Sequence, residues 1–167
     1  MSWESALGEA CLTVIVGVVV YALGIVVVNF YVKPVNKLSK SIGEILDSLV
    51  YYDNIYTNPA WASITPEEEK LRNDAKDTLR HNATILFSRA SQIRLYSVAS
   101  TLRIIPTKQA INEAHSDLIF LSNSCFNHLS RNGINPTGTF QVAERIKKLL
   151  TTNEIPPPVP PQNLVTP

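Results

Sequence analysis

The stretch Val26–Lys40, "VVVNFYVKPVNKLSK", decides how this chain is read. An apolar run ends inside it, and three lysines, Lys33, Lys37 and Lys40, arrive within eight residues. Upstream, from Ala10 to Val32, no residue is charged. A helix of about 22 residues rises roughly 33 Å, enough to cross a hydrocarbon layer of about 30 Å. A helix buried in a soluble domain of this size is rarely apolar on every side for so long. A cleaved signal peptide needs a basic start, a shorter apolar region and a small-residue cleavage pattern. Here the start, "MSWESALGEA", is acidic, and the far end, "NFYVKP", lacks that pattern. A core strand would be much shorter. The run therefore reads as one retained membrane span over residues 10–32.

The charges on either side set its orientation. Glu4 and Glu9 are the only charged residues before Lys33. The lysine-bearing side of a span stays in the cytoplasm. This predicts a short N-terminus (residues 1–9) outside the inner (plasma) membrane and a cytoplasmic remainder. Lys33, Lys37 and Lys40 are expected to meet lipid headgroups, and Phe30 and Tyr31 suit the interfacial belt.

After the lysines the apolar residues keep a rhythm. Leu38, Ile42, Ile45, Leu49, Tyr52 and Tyr56 are spaced 4, 3, 4, 3, 4, the spacing of one helical face and of a coiled-coil seam. Carried backward, the register meets Gly24, Gly17 and Ala10, seven apart. Small residues let transmembrane helices approach closely, where packing drives association. The pattern predicts one long helix from about Ser5 to Tyr56, with Pro34 as a kink or break. Its seam either joins copies of the chain or packs on the chain's own domain.

Asn58-Pro59 is a turn signal that closes a juxtamembrane segment over 33–64. Thr65-Pro66-Glu67-Glu68 then opens a helix: Thr65 as N-cap, Pro66 at the first helical position, Glu68 completing a capping box. Leu71, Ala75, Leu79, Ala83, Leu86, Ala90 and Ile93 are expected on its buried face. A bend and a short helix should fill "RLYSVASTLRIIP". The next helix starts at Pro106 or Thr107, with Ala110, Ala114, Leu118, Leu121 and Cys125 inward. "SRNGINPTGTF" reads as a loop, and "FQVAERIKKLL" as a last helix with Lys147 and Lys148 near its negative end. Six of the eleven prolines lie from Pro156 onward, so 154–167 should be a disordered, polyproline-like tail. The fold class is all-α: a transmembrane helix and a small cytoplasmic bundle over 65–153.

The 167 residues carry a formal net charge of +1, which excludes a global basic field for a nucleic-acid duplex. Cys11 and Cys125 are too few and too far apart for a disulfide framework. Cys125 and His128 lie one helical turn apart, but no second Cys/His pair completes a zinc shell. A nucleophile–base pair there conflicts with the inward register of Cys125. His81 and His115 have ordinary helical acidic neighbours. No phosphate loop or hydrolase motif is present, and no cofactor is expected. Arg72, Lys76 and Arg80 recur every four positions and could form a ridge for the phosphates of a nucleotide or lipid; acidic neighbours make a salt-bridged surface the alternative. "YYDNIYTNPAW" should lock a helix corner. Asn82-Ala83-Thr84 matches a glycosylation triplet, but on a predicted cytoplasmic helix.

The order of an acidic start, one span, "YDNIYTNP", "RLYSVASTLRIIPT" and a final "AERIKKLL" resembles a set of small bacterial single-pass membrane proteins. The likeness covers most of residues 10–150 and leaves the tail outside. It implies an inner-membrane location and transfers no activity. The expected function is non-enzymatic: a membrane-anchored helical module acting through protein contacts, with self-association. The alternative is a ligand-gated effector that senses a nucleotide and perturbs the membrane in antiphage defence. A Cys125/His128 hydrolase is the weakest reading.

Overall fold

The computed structural model describes residues 3–58, 65–126 and 136–152. Every element among them is helical, and no strand is present. α1 (Trp3–Val27) leads through a π-helical turn (Val28–Val32) into α2 (Lys33–Tyr51). A continuous helix, Gly8–Tyr51, is thus about 66 Å long. It is long and apolar enough, near the N-terminus, to cross a membrane. Pro34 neither breaks nor ends it. In an α-helix its ring would strike the carbonyl four residues back. The turn before it is widened instead, and the Lys33 N–H reaches the Val28 carbonyl five residues back. Such wide turns are a recognised way for a helix to absorb a local irregularity.

The helix stops at Tyr52, whose N–H still bonds the Ser48 carbonyl at 3.0 Å. α3 (Asp53–Thr57) follows at an angle set by Tyr52 (φ −97°, ψ 12°). Tyr56 folds back, and its hydroxyl donates to the Leu49 carbonyl at 2.6 Å. This locks the corner that the tyrosine-rich segment predicts; the Pro59–Trp61 part of that segment lies outside the described residues.

α4 (Pro66–Ser91) starts at the predicted cap, with Thr65 Oγ1 accepting the Glu68 N–H at 3.2 Å. The Glu68 carboxylate also accepts from Arg72, through Oε1 at 2.9 Å. Ala75, Leu79, Ala83, Leu86 and Ala90 are buried, and Ile93 just beyond the helix is buried too. Leu71 is a correction. It is exposed, and Arg72 takes the buried position beside it. Alternating alanine and leucine suits a helix packed between two others, and α4 packs on both α2 and α6.

α5 (Tyr96–Thr101) is the expected short helix. It ends in a Schellman motif: Ile104 N–H to Ala99 carbonyl and Arg103 N–H to Ser100 carbonyl, both 3.0 Å. Arg103 holds the left-handed position (φ 57°) normally given to glycine. α6 (Lys108–Ser124) is capped by Thr107, which accepts the Ala110 N–H at 3.1 Å. Its five expected inward residues are all buried. α7 (Pro136–Thr151) begins earlier than the sequence suggests, so residues 136–139 are helical rather than loop. Residues 127–135 and the proline-rich tail lie outside the described residues.

α2, α4, α6 and α7 share one core, with Leu38, Ile45, Leu49, Leu79, Leu118 and Ile146 among its fully buried members. The division expected between 33–64 and 65–153 is therefore not a packing boundary. Cross-helix contacts fix the direction of α4. Arg72 meets the Ile55 carbonyl, Asn82 Nδ2 meets Ser48 Oγ, and Arg89 meets the Lys37 carbonyl. α4 thus runs antiparallel to α2, back toward the apolar helix. α6 runs away again, since Arg72 meets the Cys125 carbonyl and Arg80 meets Ser122.

Candidate functional site

Among the described residues, none buries the apolar helix from Gly8 to Val28. Ala10, Gly17 and Gly24 are exposed, and nothing lies within 4 Å of a side chain built at either glycine. Around them the large apolar residues are exposed too, from Leu12 at 63% to Val28 at 46%. The small-residue stripe is open to lipid or to another helix.

The seam continued into α2 has the opposite fate. Leu38, Ile45, Leu49 and Tyr56 are buried in the bundle core, and Ile42 and Tyr52 pack against it. Of the two roles the spacing allowed, this face takes packing on its own domain. It is not available to a second copy in the closed bundle.

Arg72, Lys76 and Arg80 do not stand together as three exposed cations. Arg72 is 3% exposed. Its guanidinium donates to the carbonyls of Ile55, Asn58 and Cys125 at 3.0–3.2 Å and to Glu68 Oε1 at 2.9 Å. It ties α3, the residue after it and the end of α6 to α4. Lys76 lies over the Phe126 ring, 5.6 Å from its centre. Arg80 donates to Ser122 Oγ at 3.0 Å and Asn123 Oδ1 at 2.7 Å. Spacing alone put these cations on a solvated face. What it missed is that α6 ends opposite them, offering terminal carbonyls and small polar side chains.

Cys125 is fully buried, and its Sγ meets the Leu121 carbonyl at 3.5 Å. Burial pushes its thiol up to about 11, against the pull of Arg72. A thiol held protonated is a poor nucleophile. His128 lies outside the described residues. His115 sits against Phe87, ring centres 5.6 Å apart. Its expected neighbours Glu113 and Asp117 both turn to Arg145 of α7, with Arg145 Nη1 to Asp117 Oδ2 at 2.8 Å. Burial raises the Asp117 carboxyl while Arg145 draws it back down. The sequence reading missed this ion cluster, whose members stand 28 and 32 residues apart. No group of residues suited to a metal ion occurs among the described residues. Asn82, of the glycosylation triplet, is used in the α2–α4 contact with Ser48 at 2.9 Å.

The three lysines beyond the apolar run lie on α2. Lys33 donates to Asn29 Oδ1 at 2.7 Å, and Lys40 pairs weakly with Glu44 at 3.8 Å. Lys37 and Lys40 line an open groove with Thr84, Ser88, Arg89 and Gln92. Arg89 is already engaged there with the Lys37 carbonyl, Ser41 and Glu44. Comparison with protein-family models, with curated proteins and with solved structures finds no match for the chain.

Proposed function

We propose that this chain is a non-enzymatic, membrane-anchored helical module that acts through protein contacts. In this reading residues 10–32 cross the inner membrane once, the N-terminus lies outside, and the bundle is cytoplasmic. One observation carries it: a continuous helix whose first half is left uncovered by the described residues and whose second half is a core member of the bundle. An apolar surface of that length has to be covered by lipid or by another apolar surface. The three lysines that follow supply the orientation.

Self-association, in this reading, runs through the open Ala10, Gly17 and Gly24 stripe and not through the 38–56 seam, which the bundle occupies. The ligand-gated, nucleotide-sensing effector of antiphage defence loses the Arg72, Lys76 and Arg80 ridge that would have held its ligand. A Cys125/His128 hydrolase is disfavoured by the buried, protonated thiol.

The test is cross-linking in native membranes. We expect dimers or higher species that Gly17→Leu together with Gly24→Leu strongly reduces, with the bundle's thermal unfolding unchanged. A purely monomeric wild type removes self-association. Recovery of the protein in the soluble fraction without detergent removes the anchor as well.

A further inference from the structure

The end of the bundle nearest the apolar helix differs from the rest. α4 runs back along α2 until Arg94 lies over the ring of Phe30, 5.2 Å from its centre. Phe30 belongs to the π-helical turn, where the apolar run ends. The α4–α6 connection, residues 92–107, is therefore held beside the point at which the long helix leaves its apolar stretch. Tyr96 fastens this connection to the bundle, its hydroxyl donating to the Pro106 carbonyl at 2.7 Å.

This connection exposes apolar side chains. Leu95, Val98, Leu102 and Ile104 are 47–63% exposed. Meanwhile Ile93, Tyr96, Ala99 and Ile105 are buried and fix them from beneath. A short segment with apolar residues outward is costly in water and suited to the headgroup boundary of a bilayer.

Its charge is equally one-sided. No Asp or Glu occurs between Asp77 and Glu113, nor on the long helix between Glu9 and Glu44. The intervals hold Lys33, Lys37 and Lys40 on α2, and Arg89, Arg94, Arg103 and Lys108 at the facing end of α4 and around the connection. Carboxylates gather farther along: Glu44 and Asp47 on α2, and Glu67 to Asp77 on α4. Arg103 stands exposed in a left-handed conformation that glycine would adopt more cheaply. Glu44 pairs with Lys40 and Arg89 at the far edge of this set; a cluster of basic residues around apolar tips is the pattern that anionic lipid surfaces attract.

We infer that residues 92–108 form a second membrane contact: the α4–α6 connection docks on the anionic bilayer surface, with Leu95, Val98, Leu102 and Ile104 at the headgroup boundary and Arg94, Arg103 and Lys108 meeting lipid phosphates. This rests on the membrane-anchor reading above. The consequence is a bundle held against the bilayer at two points, the long helix and this connection, so its orientation to the membrane is fixed.

The test uses the full chain in vesicles of phosphatidylglycerol and phosphatidylcholine. In a Cys11→Ser background, single positions are changed to cysteine and carry a polarity-sensitive fluorophore: Leu102→Cys in the connection, Tyr51→Cys at the opposite end of the bundle, and Leu23→Cys in α1. All three positions are exposed, so the substitutions leave the core intact. The label at position 102 should be blue-shifted, quenched by lipid-borne nitroxide and shielded from acrylamide, and the label at 51 should show the reverse. Arg94→Gln with Arg103→Gln, or vesicles of phosphatidylcholine alone, should weaken the shielding at 102. If position 23 is quenched from the lipid while 102 is as open to acrylamide as 51, the docking inference falls and the anchor stands. If position 23 is itself open to acrylamide, the anchor reading falls and takes docking with it. Shielding at 102 that fades as the protein is diluted in lipid would mean that a second copy covers the connection, and would also overturn the inference.

Discussion

The two halves of the long helix carry one seven-residue rhythm and end in opposite surroundings. Along α1 the stripe through Ala10, Gly17 and Gly24 is exposed, with none of the described residues packed on it. Along α2 the stripe through Leu38, Ile45 and Leu49 is fully buried. The difference lies in the other faces. α1 is apolar all round, so its stripe is not distinguished by hydrophobicity. α2 carries lysines, serines and acids off the stripe, so it has one face only to bury. Periodicity names a buried face when the remaining faces are polar, and is mute when they are not.

The largest effect should come from the residue that closes the bundle around α2. Arg72→Ala removes a buried guanidinium with donors to three backbone carbonyls. Each buried carbonyl left without its donor costs about 1–3 kcal/mol. Chemical denaturation in detergent should show that loss, and Arg72→Lys should not restore it, because one ammonium cannot reach all the acceptors. An unchanged midpoint would mean the guanidinium network is dispensable.

A paired truncation tests the two halves directly. Ile45→Ala, at a fully buried site, should cost the bundle about 2–5 kcal/mol. Val19→Ala, at a site 52% exposed, should leave bundle stability within about 0.5 kcal/mol. Equal effects would break the distinction between a helix half that packs at home and one that does not.

The smallest effect concerns reactivity. With its thiol raised from 9.0 to about 11, native Cys125 should hold about a hundredfold less thiolate at neutral pH than an ordinary cysteine. Alkylation followed by mass spectrometry should find it unmodified until denaturant is added. The folded state holds its thiol proton to higher pH than the unfolded state, so this contribution is intact below pH 9.0 and is lost as pH rises through about 11. Rapid labelling of the folded protein at neutral pH would show that the core around Cys125 opens.

Local rules carried much of the fold. Thr65 and Thr107 were legible as caps because a cap is decided within three or four residues. The buried faces of α4 and α6 were legible for most of their length because their opposite faces are polar. Pro34 was not legible: its effect depends on whether the preceding turn can widen, and here the turn ending at Val32 does. Leu71 was misplaced because Arg72, one position on, finds three carbonyls from two other segments. The start of α7 at Pro136 was missed because glycine and threonine in "PTGTF" favour turns locally, while Thr139, Val142 and Ala143 are buried in the tertiary structure.

The sequence by itself determined that the chain is helical, that one segment is long and apolar enough to span a membrane, and where α4 and α6 begin. These depend on the order of apolar, polar and capping residues along the chain. Only the tertiary structure decided which cations are buried, which half of the seven-residue stripe is already taken, and that the α4–α6 connection lies beside Phe30. Those depend on which distant segments come to lie opposite, and a carbonyl, a ring or a carboxylate 28 or more residues away leaves no mark on local spacing.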